Sequence, residues 1–139
     1  MLDNSELDSR VPRWRELVHA ARLARNNAYA PYSKFCVGAA ILADDGRIFV
    51  GCNVENASYG LTICAERAAV CQAVASGCRK MVAVCVSLAG KPSPCGACRQ
   101  VLWQFGSEMQ VIMDNIGSPD DCDPQVISLS ALLPSAFQL

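Results

Sequence analysis

The chain predicts a three-layer α/β/α sandwich around a mixed five-stranded sheet. Helix-patterned and strand-patterned segments alternate along it in the order helix, two strands, helix, strand, helix, two strands, helix. One segment, Met81 to Leu88, is nearly continuously apolar, as expected of a strand covered on both faces. With 139 residues, 52% of them apolar, the chain can bury the core of one domain spanning residues 1–139.

The elements are read in order. Residues 1–10 are polar and are expected to be flexible. Pro12 suits a first helical turn. Trp14, Leu17, Val18, Ala21, Ala24 and Ala28 recur at helical spacing and predict a helix to about Asn26. Ala30-Pro31-Tyr32-Ser33 ends it. Phe35 to Ala43 reads as a strand, Asp44-Asp45-Gly46 as a turn, and Arg47 to Glu55 as the return strand of a hairpin. Asn56 to Thr62 is a loop. Cys64 to Ser76 has helical composition, with Gly77 as its stop. After the Met81–Leu88 strand comes a loop, Ala89 to Pro94, holding two prolines. Cys95 to Phe105 reads as a helix stopped by Gly106, and Met109 to Asp114 as a strand. Asn115 to Pro124 is turn-rich, Gln125 to Ser128 a short fifth strand, and Leu129 to Leu133 a short last helix.

Formal net charge is -1, and Lys and Arg are scattered, so neither a nucleic-acid nor an anionic-lipid footprint is visible. The first residues carry Asp3, Glu6 and Asp8 around no apolar stretch, so no signal or transit peptide is expected. No apolar run approaches the ~18 residues of a membrane span. Nine cysteines without a secretory signal suggest a reducing compartment, hence a cytoplasmic protein, over a disulfide framework. Cys36, Cys52, Cys71, Cys78, Cys85 and Cys122 read as small apolar residues. Charged residues make up only 18% of the chain, against about 25% in a typical soluble domain. So little charge hints at surface buried between copies of the chain.

The remaining three cysteines have ligand spacing. Cys64-Ala65-Glu66 stands ahead of Pro94-Cys95-Gly96-Ala97-Cys98. Three thiolates can close three corners of a zinc tetrahedron, and an open fourth corner marks a catalytic site. Both segments fall at predicted helix starts, where unpaired N–H groups and the helix dipole lower a thiol pKa. Glu66 could take a proton from zinc-bound water and return it to substrate. The other reading of Glu66 is a helix-start carboxylate complementing the dipole. Three thiolates and Zn²⁺ sum to -1, and Arg67 is the cation placed to offset that charge; otherwise it is a surface helix residue. Asn53 and Glu55, alternate residues of a strand, would share a face and could hold sugar hydroxyls or simply be solvated. His19 lies off the apolar stripe of its helix. Phe35, Phe137 and Trp14 are core residues by default.

In combination these motifs resemble a known family. The run Asn53 to Arg67, with Pro31-Tyr32-Ser33-Lys34-Phe35, Val37-Gly38-Ala39-Ala40, Pro94-Cys95-Gly96-Ala97-Cys98-Arg99-Gln100 and Leu132-Leu133-Pro134, is similar to the small, tetrameric cytidine deaminases. A first Cys or His ligand, a non-ligand Glu and a later P-C-x-x-C form the established signature of zinc deaminases, applied here as a known pattern. The resemblance implies a cytidine deaminase-like fold and hydrolysis of free cytidine and 2′-deoxycytidine to uridine and 2′-deoxyuridine with release of ammonia, as in pyrimidine salvage. It implies one zinc per chain on Cys64, Cys95 and Cys98, zinc-bound hydroxide attacking C4, and Glu66 shuttling protons. It also implies Phe35 against the pyrimidine, Asn53 and Glu55 on the ribose, and the backbone of Ala65 on the base. Arg67 would temper the thiolate charge, and Phe137 would enter the site of a neighbouring subunit in a homotetramer. Gln104 stands where the family more often has Glu.

Rival readings differ in substrate or class. A deaminase of another small molecule, such as an aminated nucleoside antibiotic, is nearest. A nucleotide deaminase would want an Arg and Lys phosphate clamp, and a polynucleotide editor a basic groove. A structural zinc module would need a fourth ligand, and none stands at ligand spacing.

Overall fold

The computed structural model describes residues 4–117 and 124–139. Five strands form one sheet in the order β2-β1-β3-β4-β5: β1 Gly38–Ala43, β2 Ile48–Cys52, β3 Met81–Leu88, β4 Gln110–Asn115 and β5 Gln125–Ser128. Only β3 and β4 run parallel, so the sheet is mixed. The parallel pair needs a crossover, which α4 (Gly96–Phe105) supplies. Helices cover both faces. On one side α1 (Asn4–Arg10) and α2 (Trp14–Arg25) pack on Ala40, Leu42, Ala83, Cys85 and Ile112. On the other, α3 (Ala65–Ala75), α4 and α5 (Leu129–Leu132) pack on Ile41, Val84, Val86 and Val111. This is the three-layer α/β arrangement expected from the order of elements.

The alternation along β3 shows how the layers are addressed. Val84 and Val86 face α3 and α4, while Ala83 and Cys85 face α2. Both sets are buried, which is why the strand reads as one apolar run. Ser87 is the polar exception. Its hydroxyl donates to Asp114 Oδ2 at 2.7 Å, and Arg22 of α2 clasps the same carboxylate at 2.8 and 2.7 Å. The buried carboxylate is thus fully partnered, and α2 is tied to the ends of β3 and β4.

The structure corrects the reading at four places. Residues 4–10, given no element in the sequence reading, form α1, because Leu7 and Val11 continue the apolar stripe of Trp14 and bury with it. The Trp14 indole N–H also donates to Asp8 at 2.8 Å. The first two strands are shorter than expected. Phe35 to Val37 lie ahead of β1, and Asn53 to Glu55 lie beyond β2. Cys71 is exposed, unlike the buried Cys78 and Cys85, while Cys36 and Cys52 are partly covered. Phe35 and Phe137 are both largely exposed rather than core. His19 is exposed and Trp14 buried, as expected. Cys122 and most of the turn-rich segment before Pro124 lie outside the described residues. Among the described residues, no helix is long and apolar enough to cross a membrane.

Gly51 sets how closely α3 approaches the sheet. A Cβ there would stand 2.5 Å from both the Ala65 carbonyl oxygen and the Ala69 amide nitrogen, which are backbone atoms that cannot swing away. Gly51→Ala should therefore push α3 off β2 and cost about 1–3 kcal/mol, the usual range for overpacking. The urea unfolding midpoint measures this, and an unchanged midpoint would show that the helix yields freely.

Candidate active site

Cys64 and Cys95 are the residues immediately before α3 and α4, with nearly the same extended backbone: φ -71°, ψ 153° and φ -66°, ψ 166°. Neither side chain caps its own helix. Cys98 sits one turn into α4 and is buried. The two helix starts meet on one face of the sheet, and the three Sγ atoms all lie within 4.8 Å of one another. Tetrahedral zinc with Zn–S bonds of about 2.3 Å needs sulfurs about 3.8 Å apart. The donor set therefore fits zinc in softness, spacing and number, with no fourth His, Cys, Asp or Glu in the cluster among the described residues.

Charge in the cluster is steeply distributed. The hydrogen bond from Cys98 is the main cause that lowers Cys64 to about 5, aided by Arg67, whose Nη2 donates to its sulfur at 3.3 Å. The same bond, with burial and the Glu66 charge, pushes the Cys98 thiol up. Packed this closely, the sulfurs resist becoming thiolates together unless a cation shares the charge. The partner thiols in turn hold the Arg67 guanidinium firmly protonated, its hydrogen bond to Cys64 foremost. Its Nε is buried without an acceptor, a cost the thiolate contact helps offset.

Glu66 is buried in the first turn of α3. Burial is the main cause that raises its carboxyl above the ordinary range, and the Cys64 charge adds to it. Cys98 Sγ lies 3.7 Å from its Oε2. A carboxyl so raised is closer to the ideal for proton exchange near neutral pH.

Two cysteines of the cluster, Cys64 and Cys95, open onto a cavity of about 240 Å³, while Cys98 is buried. Phe35, Asn53, Glu55, Ala65 and Glu66 line it together with Cys64 and Cys95. Asn53 and Glu55 are brought together, though not by strand alternation. The Asn53 side chain accepts from the Val37 N–H at 2.9 Å and donates to the Phe35 carbonyl at 2.7 Å, fixing the segment that carries Phe35. Glu55 accepts the amides of Tyr32 and Ser33 at 2.9 and 3.2 Å, and the Ser33 hydroxyl as well. These bonds, the Ser33 hydroxyl first, hold its carboxyl below the usual range. They also brace a tight turn in which Lys34 adopts φ 61°. Phe137 is not in the cavity of its own chain; its carbonyl accepts from Gln100 Nε2 at 3.2 Å and its ring is exposed.

Sequence reasoning missed Ser33, Thr62 and Ser93, which also line the cavity. Ser33 and Ser93 sat in stretches read only as turn and loop, and the one available signal was their closeness to Phe35 and Cys95. Arg99 was missed as well. It follows Cys98 directly, much as Arg67 follows Glu66.

The Cytidine and deoxycytidylate deaminase zinc-binding region matches residues 13–114. A cytidine deaminase of Sporosarcina psychrophila is 46% identical over 88% of this chain and 89% of its own length. One of Mycobacterium tuberculosis is 46% identical over 91% and 90%. The crystal structure of cytidine deaminase from Burkholderia pseudomallei is 48% identical, covers 88% of this chain and 98% of that one, and superposes with a TM-score of 0.82. The chain belongs to the cytidine and deoxycytidylate deaminase family and is an enzyme of that family.

The arrangement makes Arg67 testable apart from Glu66. Arg67→Ala should leave the fold intact but weaken metal retention by the 10–100-fold typical of groups that support ligands. Zinc content after dialysis against a weak chelator measures this. Unchanged content, with unchanged activity across pH, would assign Arg67 to the surface.

Proposed function

We propose that the enzyme hydrolyses free cytidine and 2′-deoxycytidine to uridine and 2′-deoxyuridine, releasing ammonia. The observation that carries this is one cavity lined by two cysteines of a three-thiol cluster that could hold a metal, by the buried Glu66 carboxyl and by the polar pair Asn53 and Glu55. Cys64, Cys95 and Cys98 would hold one zinc per chain. When bound there, zinc supplies the Lewis acidity that makes water a competent nucleophile near neutral pH.

The protein's own groups do the rest. Water adds to C4 of the pyrimidine while Glu66 takes its proton. Glu66 delivers that proton to the base ring, takes the second from the added hydroxyl as the C4–N bond breaks, and gives it to the departing amine. Ammonia leaves and the carbonyl of the uracil ring remains. Phe35 lies against the ring, and the Ala65 backbone contacts its edge. Arg67 tempers the thiolate charge throughout.

The sugar contacts follow from counting. Asn53 Nδ2 has one N–H left beyond its bond to Phe35. Glu55 has one acceptor position left on Oε2, since Oε1 already takes two amides and Oε2 one hydroxyl. A single hydroxyl can donate to Glu55 and accept from Asn53. The 3′-hydroxyl is common to ribose and 2′-deoxyribose, so both nucleosides are accommodated. No Lys or Arg lines the cavity among the described residues, which favours a nucleoside over a nucleotide or a polynucleotide.

The site is completed in a homotetramer. Tyr29, Tyr32, Val54, Tyr59, Leu61 and Ile63 are exposed apolar side chains, and Tyr32 and Tyr59 share a shallow recess with the cavity residues Ser33, Glu55 and Thr62; this is more apolar surface than a lone subunit comfortably shows water. Phe137, 69% exposed, would pack over a neighbour's pocket. A thiol-rich metal site suits the reducing cytoplasm.

Loss of cytidine absorbance, with and without prior chelation, tests the reaction directly. Activity should vanish on chelation and return with zinc. No loss of absorbance from a zinc-loaded preparation, or full activity without any metal, would overturn the proposal. Glu66→Gln should keep zinc and fold and lose at least the ~10²–10⁴-fold of a general acid–base group. Near-normal turnover would make Glu66 a helix-end residue only. Sharing of sites is tested by refolding Glu66→Gln with Phe137→Ala. Mixed tetramers should exceed the mean activity of the two parents, provided Phe137→Ala alone is strongly impaired. No rise, with mixed tetramers confirmed, would assign Phe137 to its own chain.

A further inference from the structure

Ser93 and Cys95, on either side of Pro94, line the cavity, one with a hydroxyl and the other with a thiol of the metal-competent cluster. The segment has little to hold it. Pro92 and Pro94 have no N–H, and among the described residues no backbone–backbone hydrogen bond ties residues 91–94 to the rest of the chain. A single side chain makes up the deficit. Arg99 Nε donates to the Pro94 carbonyl, Nη2 to the Ser93 hydroxyl, and Nη1 to the Leu132 carbonyl at the end of α5, each at 2.8 Å. Three nitrogens of one planar fork thus meet three acceptors from two distant stretches of chain.

We propose that Arg99 is a positioning residue: it fixes the Ser93–Cys95 wall, and with it the ligand Cys95, by clamping that wall to the C-terminal turn at Leu132. Pro94 precedes the ligand directly, so the position of its carbonyl sets where the Cys95 backbone begins. The extended backbone that points Cys95 away from its own helix start is held from one side by α4 and from the other by this clamp. A lysine cannot replace it. An ammonium is a compact donor, whereas these acceptors lie along the edges of a rigid plane. Arg99 and Gln100 are neighbours on α4, and Gln100 holds the Phe137 carbonyl. One turn of α4 therefore anchors the C-terminal segment at two points while holding the pocket wall.

The proposal rests on the three-thiolate zinc reading above, and its test separates the two. Zinc-loaded wild type, Arg99→Lys and Arg99→Met are mixed with a chromophoric chelator, and the rate of zinc transfer from the folded protein is recorded. Backbone hydrogen exchange is followed in the same samples. Both variants should release zinc 10–100-fold faster than wild type, the range seen when groups that orient ligands are lost. Exchange should accelerate at Gly90, whose N–H donates to Asn115, and around Leu132, but not in β3. Release at the wild-type rate in either variant, rescue by lysine, or acceleration spread equally through β3 would overturn the proposal. If both variants fail to fold, Ser93→Ala removes one arm of the clamp from an exposed position. It should quicken zinc release, and release at the wild-type rate would overturn the proposal as well. A wild-type protein that holds no zinc on these cysteines would instead refute the metal reading itself.

Discussion

Everything at this site depends on two helices beginning at the same point. Cys64 and Cys95 stand just before α3 and α4 in matching extended conformations. If either helix shifted by one turn, about 5.4 Å, its sulfur would leave the cluster. The shared start is fixed by packing rather than by the thiols. α3 is drawn against β2 at Gly51, where no side chain separates them, and its Ala65, Ala69 and Ala73 bury against the sheet. α4 is seated by Leu102 in the same core. Small residues bring the helices close, and closeness turns three separated cysteines into a donor set.

The same closeness creates an electrostatic problem. Two helix N-termini favour negative charge, yet three sulfurs and the Glu66 carboxyl crowd together, with Cys98 and Glu66 buried. The chain answers with a guanidinium bonded to Cys64 and with a carboxyl held high by burial. Those features do not stabilise the fold. A buried carboxyl and a guanidinium nitrogen without an acceptor are costly, and such costs gather where chemistry is done. The core elsewhere is conventional: its other buried carboxylate, Asp114, is satisfied by Arg22 and Ser87.

The sequence was most legible where one physical signal dominated. Met81–Leu88 reads as a strand because burial on both faces makes it apolar throughout, and its observed bounds agree. The three-thiol cluster was legible because thiols able to hold a metal need fixed spacing and few other roles demand it. Legibility failed where an apolar residue serves something other than the core. Phe35 belongs to an apolar run, so it read as strand, but it is held out over the cavity by Asn53. Leu7 and Val11 were overlooked because two apolar residues among polar ones make a weak pattern alone; their meaning comes from Trp14 and the sheet. Asn53 and Glu55 were paired for a reason the structure does not bear out, since both lie past the end of β2, yet they do line one cavity. Ser33, Ser93 and Arg99 had no signal of their own, because their roles are side-chain hydrogen bonds that only the folded loops create: Ser33 with Glu55, and Arg99 with Ser93, Pro94 and Leu132.

The central claim is that three thiolates hold a metal while leaving a position open at the floor of a nucleoside pocket. X-ray absorption at the zinc edge of the loaded protein tests it most directly. The account predicts three sulfur neighbours at about 2.3 Å and one lighter neighbour at about 2.0 Å. It also predicts that the lighter shell alone changes when a non-reactive cytidine analogue is added. Four sulfur neighbours, or a shell with no sulfur, would contradict it.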